Sequence, residues 1–319
     1  MNYQSTDRAT SVSLPPTIAP PSFQGFRDAL DMNPVLAPIL ARLRCEPSRT
    51  WSLILTVYGD AVLPRGGSVW LGTLLALFQA LDIGDGVVRT AMSRLAADGW
   101  LERRRVGRHS FYRLRSKGGT PFEAASHRIY RATPEPWQGH FELLLPEAAD
   151  PVALRQAGCG AIAPGVWLAL RPLAIDGLRL RTEADPATLR ALAARAWPLD
   201  ALGRSYGAFT DTFAPLGGFL AGGGTLAEIE AVVARVLMIH FYRRIVLRDP
   251  LLPGLVLPEH WPGGPARQLC AAIYHALLAA SERWIDQNAI DETGLPLAAS
   301  ASVLARFRPI TAQENTAAL

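Results

Sequence analysis

Arginine and hydroxyl side chains recur at helical spacing in the stretch VVRTAMSRLAA, residues 87–97. At about 100° per residue, four apolar side chains share one side of such a helix within about 100° of arc: Val88, Ala91, Met92 and Leu95. The opposite side carries Arg89, Thr90, Ser93, Arg94 and Ala97. Guanidinium and hydroxyl groups on small neighbours can reach guanine edges, phosphates and thymine methyls in a major groove. The spacing therefore predicts a helix that packs on one face and reads DNA with the other.

A run of positive charge follows this helix in WLERRRVGRHSFYRLR, residues 100–115. We predict two strands around the turn Val106-Gly107-Arg108-His109. Three adjacent arginines cannot all face a core, because side chains in a strand alternate between the two faces. A charged hairpin beside a reading helix is the layout of a winged helix-turn-helix, in which the wing contacts the DNA backbone. The wing residues that we predict to contact DNA are Arg103, Arg104, Arg105, Arg108 and His109.

The charge of the chain is uneven. The 319 residues carry a formal net charge of +4, yet residues 49–118 hold eleven basic and five acidic side chains, so the remainder is net −2. A local excess of this kind indicates a local anionic partner rather than general solubility. We found neither an apolar run long enough to span a membrane nor a secretory signal. Three widely spaced cysteines indicate neither a disulfide framework nor a zinc site. This usage fits a reducing cytoplasm.

The elements that must position these side chains can be predicted coarsely. Residues 49–115 have the order helix, short strand at Val69-Trp70, helix, helix and β-ribbon. From 137 to 185 four strand-like segments occur, with a helical stretch between the first and second, which favours a split βαβ unit. From 186 onward the pattern is helical. Residues 34–44 could form a short helix, whereas residues 1–22, rich in Ser, Thr and Pro, have the composition of disordered segments.

Several blocks of this sequence resemble the PaaX family of bacterial transcriptional repressors of phenylacetic acid catabolism. The blocks are TVYGDAVLPRGGSVWLGTLL, VRTAMSRLAADGWL, GRHSFYRL, WQGHFELLLPE, GCGAIAPGVWLAL and RRIVLRDPLLPGLVLPEHWPG. They occur in the family's order over about residues 49–290. The N-terminal extension of almost fifty residues departs from the family pattern.

The resemblance implies an α+β architecture with an N-terminal winged helix-turn-helix, a middle ferredoxin-like domain similar to Cas2, and a helical C-terminal domain. The expected boundaries are an extension at 1–48, the winged helix at 49–118, a linker at 119–136, the middle domain at 137–185, the helical domain at 186–306 and a tail at 307–319. The resemblance also implies a cytoplasmic homodimer on palindromic operator DNA, released when phenylacetyl-coenzyme A binds. It implies no cofactor.

A site for such an effector is less clearly indicated. An acyl-coenzyme A offers phosphates and an apolar group, so its pocket needs arginines beside aromatic or aliphatic walls. Near the end of one predicted helix and beyond it, the candidates are His240, Tyr242, Arg243, Arg244 and Trp261. Arg155, Trp167 and Arg171 in the middle segment are an equal alternative, and a site between domains would use both sets. Arg243 and Arg244 could instead pair with Asp249, and His240 could be structural.

Enzymatic alternatives have less support. The segment Gly203-Arg204-Ser205-Tyr206-Gly207 satisfies the nucleophile-elbow motif, but no buried β-branched strand precedes it, so a serine hydrolase is disfavoured. The strand HFELLLP lacks the aspartate expected of a metal-dependent nuclease. The histidines show no metal-ligand spacing, and the sequence predicts no metal site. A DNA-binding scaffold with no ligand also remains open.

Overall fold

The computed structural model describes residues 32–46, 49–131, 137–148, 150–297 and 301–308. Within these ranges the protein is a mixed α+β chain with two small antiparallel sheets, which confirms the α+β class of the expected architecture. Three expectations lie largely outside the described residues: disorder at 1–22, most of the tail at 307–319, and the last part of the 119–136 linker.

The N-terminal half has the expected order of elements. Its helices are α1 (Ala37–Cys45), α2 (Thr50–Val57), α3 (Leu71–Gln79), α4 (Asp85–Ala97) and α5 (Ser116–Arg131). Its strands are β1 (Ser68–Trp70), β2 (Leu101–Val106) and β3 (His109–Leu114), arranged antiparallel in the order β1-β3-β2. The expected short helix at 34–44 is α1, preceded by a 3-10 turn at Pro34–Leu36. A π-helical turn, Tyr58–Val62, extends α2 and carries a buried aspartate.

The middle segment forms the second sheet. Its elements are β4 (Glu142–Pro146), α6 (Pro151–Gln156), β5 (Gly160–Ala163), β6 (Val166–Ala169) and β7 (Gly177–Arg181). The strand order is β5-β6-β4-β7, with every neighbouring pair antiparallel. Strands β4 and β5 therefore run in the same direction on either side of β6, joined through α6. A small core of its own fills one face of this sheet and contains Leu144, Leu154, Cys159, Trp167 and Ala169.

The C-terminal part is helical. It comprises α7 (Pro186–Ala196), α8 (Leu199–Ala221), α9 (Glu228–Val246), α10 (Gly263–Asn288) and α11 (Ala301–Leu304). Helix α9 is the centre of this part, because it contacts both α8 and α10 and is buried on nearly every side. Helix α8 continues through Pro215 and ends at Ala221, where Gly223 adopts a positive φ of 85°. The glycine-rich stretch at 217–225 therefore contains the end of this helix.

One hydrophobic core runs without interruption from the N-terminal helices into the C-terminal helices. At its centre lies the side chain of Asp60, which is 1% exposed. Its Oδ2 accepts a hydrogen bond from Arg235 Nε at 2.7 Å, and its Oδ1 accepts from Tyr130 Oη at 2.6 Å and Arg306 Nη1 at 2.9 Å. Burial alone would lower the pKa of Arg235, but the charge of Asp60 raises it above its usual value, so this guanidinium stays charged.

A second set of charges continues this network. Glu282 of α10 pairs with Arg235 at 2.6 Å and also with Arg65, which is 4% exposed and reaches Asp286 at 2.7 Å. Carboxylates and guanidinium groups therefore alternate from the segment after α2 into α9 and α10. A buried charge is tolerated only when it is paired and hydrogen-bonded, and these groups satisfy that condition together.

Replacing Asp60 tests this network. The variant Asp60→Asn keeps the shape but removes the charge that compensates Arg235 and Arg306. We expect the free energy of unfolding to fall by about 3–5 kcal/mol, measured by urea denaturation followed by circular dichroism. The exposed Asp211→Asn is the control, with an expected change within about 0.5 kcal/mol. Equal effects of the two variants would contradict the assigned role of Asp60.

Candidate nucleic-acid interface

Helix α4 has the two faces that the sequence predicts. Its apolar side chains are buried and belong to the main core: Val88, Ala91, Met92 and Leu95. Its opposite face is exposed and carries Arg89, Thr90, Ser93, Arg94 and Ala97. Contacts with α2 and α3 hold the helix, and the chain reverses at Gly99, whose φ is +79°. A rigid support behind the exposed face therefore fixes the direction of its polar side chains.

The polar side chains on this face make few and weak interactions with the rest of the described protein. Arg89 lies 4.0 Å from Asp85, with more than half of each side chain exposed. Such an exposed pair contributes little and can exchange for a phosphate. The hydroxyl of Thr90 donates to the carbonyl of Gly86 at 2.8 Å, one turn back along the helix. Arg94 and Ser93 are exposed beside it, so all four side chains lie where an approaching duplex can reach them.

The strand β2 divides the arginine run between two faces. In the β2–β3 register, Arg103 pairs with Tyr112 and Arg105 pairs with Ser110. Both positions lie on one face of the hairpin. At the base of the hairpin, this face is buried against the helices through Leu101 and Tyr112. Arg103 donates to the hydroxyl of Ser110 at 2.9 Å, and both arginines are exposed. The two guanidinium groups therefore project from the same side of the hairpin that faces the helices.

Arg104 points to the other face. There it lies 3.9 Å from Glu292, and Arg113 donates to the same carboxylate oxygen at 2.6 Å. Burial would raise the pKa of Glu292, but hydrogen bonds from Ser68 and Arg113 hold it at about 2. The carboxylate is thus ionised at neutral pH, and its negative charge offsets part of the positive charge of Arg104 and Arg113 on this face. Arg104 remains two-thirds exposed, so the pair restrains its side chain without burying it.

The two remaining wing residues lie at the turn. Gly107 has a φ of +56°, which allows the tight reversal that carries Arg108 outward. His109 is half-buried and packs edge-on against Trp70, with ring centroids 5.3 Å apart. Arg108 is therefore accessible at the tip, whereas one side of His109 is taken up by packing on β1.

An open apolar groove lies beside α4 and was not predicted from the sequence. It has a volume of about 840 Å³ and is bordered by Thr90 and Arg94 of the exposed face. Its apolar walls include Trp51, Val87 and Trp100, which are 42%, 54% and 38% exposed. Leu101, the next residue after Trp100, is buried between α4 and the hairpin, whereas Trp100 remains partly exposed. The sequence contains one indication of this groove. Val87 is an apolar residue that lies outside the buried face of α4.

The structure does not bring together the five residues that the sequence suggested for an effector. His240 is 0% exposed and its Nδ1 lies 2.9 Å from the hydroxyl of Thr56; burial, with Arg243 and Arg244 nearby, lowers its pKa to about 3. Tyr242 is 1% exposed in the core. Both side chains are inaccessible because α9 is surrounded by other helices.

The other three candidates differ in what they contact. Arg243 is half-buried and donates to the carbonyl and the hydroxyl of Ser52 in α2, at 2.9 and 2.8 Å. Trp261 packs edge-on against Tyr206. Arg244 is exposed and lines an open cavity together with Arg42 and Arg248.

Of the alternative candidates in the middle segment, Arg155 and Trp167 lie in contact with each other. The guanidinium of Arg155 lies 5.6 Å from the ring centre of Trp167, which belongs to the small core of this sheet. Arg171 is exposed in the segment after β6.

The geometry at Ser205 excludes the elbow that the motif would require. Ser205 lies inside α8, not at a strand-to-helix turn, and its hydroxyl donates to the carbonyl of Ala201 at 2.8 Å. Among the described residues, no group of three or more His, Cys, Asp or Glu side chains is placed to hold a metal ion. The helices described here also include none with the length and apolar content needed to cross a membrane.

Comparisons with known proteins agree with the resemblance noted in the sequence. The model of the PaaX-like protein family matches residues 49–118, and that of the PaaX-like protein C-terminal domain matches residues 197–287. The transcriptional repressor PaaX of Escherichia coli (strain K12) is 37% identical over 268 residues, which cover 76% of this chain and 85% of the relative. An uncharacterized protein of Mycobacterium tuberculosis, Rv0674, has a solved structure that aligns with a TM-score of 0.42 and 22% identity, covering 66% of this chain and 88% of that one.

These matches confirm the family predicted from the sequence blocks, and they favour a regulator over an enzyme. The family-model match to residues 49–118 includes the whole of α4 and the β2–β3 hairpin. The chain therefore belongs to the family of PaaX-like proteins.

Proposed function

We propose that this protein is a cytoplasmic, homodimeric transcriptional repressor that binds operator DNA and is released by an aryl-acyl-coenzyme A such as phenylacetyl-coenzyme A. The genes under its control would serve the breakdown of a phenylacetate-type aromatic acid. The observation that carries the DNA-binding part is the exposed polar face of α4 beside the cationic hairpin. A relative that is named as a transcriptional repressor supports it.

In this proposal residues 49–118 act as a winged helix-turn-helix. Helix α4 enters the major groove, where Arg89 and Arg94 are suited to guanine edges or phosphates, and Thr90 and Ser93 to bases or backbone. The wing reaches the phosphate backbone through Arg103, Arg105 and Arg108, with Arg104 at reduced strength because of Glu292. The apolar groove at Val87 and Trp100 is suited to thymine methyl groups.

The rest of the chain would serve assembly and sensing. The strand order β5-β6-β4-β7 with its split βαβ unit supports a ferredoxin-like, Cas2-like middle domain. A homodimer would present two α4 helices to a palindrome, with half-sites about 34–36 Å apart or at a multiple of that spacing. Release requires that the acyl-coenzyme A bind more tightly to a form that does not fit the operator.

The proposal is tested by fluorescence anisotropy with duplexes from upstream of its own gene and of neighbouring aromatic-degradation genes. We expect the protein to bind these duplexes more tightly than scrambled ones. In a plot of log affinity against log salt concentration, each contacted phosphate should make the slope more negative by about 0.9. Phenylacetyl-coenzyme A should release the DNA, whereas phenylacetate and coenzyme A added separately should do so less. Binding with no preference over scrambled DNA would contradict a repressor function, and release by another thioester alone would reassign the effector.

Substitution of Arg94 tests the reading face. If Arg94 donates two hydrogen bonds to guanine, Arg94→Ala should cost about 1–3 kcal/mol on operator DNA and relax the preference at one base pair. Affinity for a set of single-base operator variants measures this effect. The exposed Arg190→Ala on α7 is the control for loss of one charge. An equal loss on specific and random duplexes would mean that Arg94 contacts only the backbone.

The two faces of the hairpin give a second test. Arg105→Ala should weaken binding to all sequences and reduce the salt slope by about 0.9, because one phosphate contact is lost. Arg104→Ala should change the slope less, since Glu292 already holds that guanidinium on the opposite face. The slopes of both variants are compared with wild type on one random duplex. A larger change for Arg104 than for Arg105 would reverse the assignment of faces.

A further inference from the structure

An open cavity of about 280 Å³ lies where α1, α8 and α9 meet. Three of its lining side chains are arginines: Arg42 from α1, Arg244 from α9, and Arg248 just beyond α9. Its walls also include Phe241 and Leu202. Arginines beside an aromatic and aliphatic wall are suited to a ligand that joins an anionic group to an apolar one.

The helix that supplies Arg42 belongs to the N-terminal extension, outside both segments matched by the family models. It is firmly seated on the C-terminal helices. Leu36 and Ile39 are each 1% exposed, and the backbone amide of Asn33 donates to Glu230 at 2.6 Å. The described part of the extension is therefore a built-in wall of the cavity.

Arg42 is held over the cavity by its own contacts. Its Nη1 donates to the carbonyl of Ala208 at 2.6 Å and to the hydroxyl of Thr212 at 2.8 Å, and its guanidinium lies 4.8 Å from the ring centre of Phe241. Its buried Nε makes no hydrogen bond within the described residues; the nearest carboxylate oxygen, of Glu46, is 3.7 Å away. The orientation of this charge is thus fixed before any ligand arrives.

The charges of the cavity favour a multiply charged anion. Three guanidinium groups face one carboxylate, that of Glu46, which is more than half exposed. The lining therefore has a net charge of about +2, from three cations and one anion. A single carboxylate would leave part of this charge uncompensated. A phosphate ester or diphosphate matches it, because guanidinium forks bind phosphate oxygens in pairs.

The cavity also lies close to the DNA-reading elements along the chain and in space. Glu46 precedes α2 by only a few residues, and α2 packs against α4. On α9, Arg243 is adjacent to Arg244 and holds the start of α2 through Ser52. An anion that draws Arg244 and Arg248 together would therefore act on the end of α9 that anchors α2.

We propose that this cavity binds the phosphate groups of an acyl-coenzyme A ligand, and that the N-terminal extension contributes Arg42 to the site. The inference rests on the proposed function, because it assigns a location to the effector of the repressor. Phe241 and Leu202 supply an apolar surface for the neighbouring carbon groups of the ligand. Release of DNA then follows from displacement of α2 relative to α9.

The experiment uses the full chain and two probes, phenylacetyl-coenzyme A and coenzyme A, in isothermal titration calorimetry. We expect Arg244→Gln and Arg248→Gln each to weaken binding of both probes about tenfold, because each removes a charged hydrogen-bond donor. Phenylacetyl-coenzyme A should release operator DNA only at correspondingly higher concentration. The exposed Arg190→Gln on α7 is the matched control and should leave probe affinity unchanged.

Affinity for operator DNA without ligand separates the outcomes. It should stay within about twofold of the control in both variants. A loss of DNA affinity without ligand would overturn the proposal by making the arginines a DNA-backbone surface. Unchanged probe affinity in both variants would overturn the location while leaving an acyl-coenzyme A-controlled repressor intact. Failure of the wild-type chain to bind either probe while still binding its operator would overturn the site but not the DNA-binding function.

Discussion

The side chain of Asp60 is a buried anion whose partners come from four separate parts of the chain. Tyr130 lies on α5, Arg235 on α9, Tyr274 on α10, and Arg306 in the segment after α11. None of these partners belongs to residues 49–118, the segment that contains Asp60. An isolated ionised carboxylate cannot remain in such a site, so the segment reaches this structure only when the C-terminal helices are in place. The shared core around Asp60 has the same consequence, since it runs through both parts.

This constraint limits how a ligand could control DNA binding. Separating the reading elements from the helices at Asp60 would leave buried guanidinium groups uncompensated, at a cost of about 3–5 kcal/mol. Coupling between a ligand and a second site is commonly about 1–3 kcal/mol. Control by rotation about the Asp60 network is therefore disfavoured energetically. Smaller changes are compatible with it, such as movement of the start of α2 against Arg243, or a change in how two copies are oriented.

The local sequence pattern was sufficient to predict much of the exposed polar face of α4 and of the hairpin. The 3.6-residue periodicity of α4 correctly separated its buried and exposed side chains, because that separation depends only on helix geometry and one apolar contact face. Alternation in β2 likewise required that the arginine run be divided. The sequence could not say which arginines face the helices, because that depends on the register with β3 and on which face the rest of the chain covers. Glu292, which pairs with Arg104, lies far along the chain and gives no local sign of this contact.

The accessibility of the effector candidates, in contrast, could not be judged from local pattern. The sequence of α9 ends in basic residues, as a surface helix can. Choosing His240 and Tyr242 as ligand-binding residues requires that one face of this helix be accessible to solvent. In the structure α2, α8 and α10 all contact this helix, and a helix enclosed on several sides has no periodic signature that marks an accessible face. Among the residues of α9, Arg244 is the exposed one, near the C-terminal end. There the extension helix α1 adds a further wall and a further charge.

That helix belongs to the main hydrophobic core through Ile39 and Leu43, as does Leu36 just before it. The side chains that bond to Asp60 come from other elements: α5, α9, α10 and the segment after α11. Arg42 of this helix lines the cavity with Arg244 and Arg248 and adds positive charge there, and it lies outside the residues proposed to contact DNA. In the proposed function, the ligand site and the DNA-binding surface therefore use different side chains. They remain linked mechanically, since the end of α9 that carries Arg244 also holds α2 through Arg243.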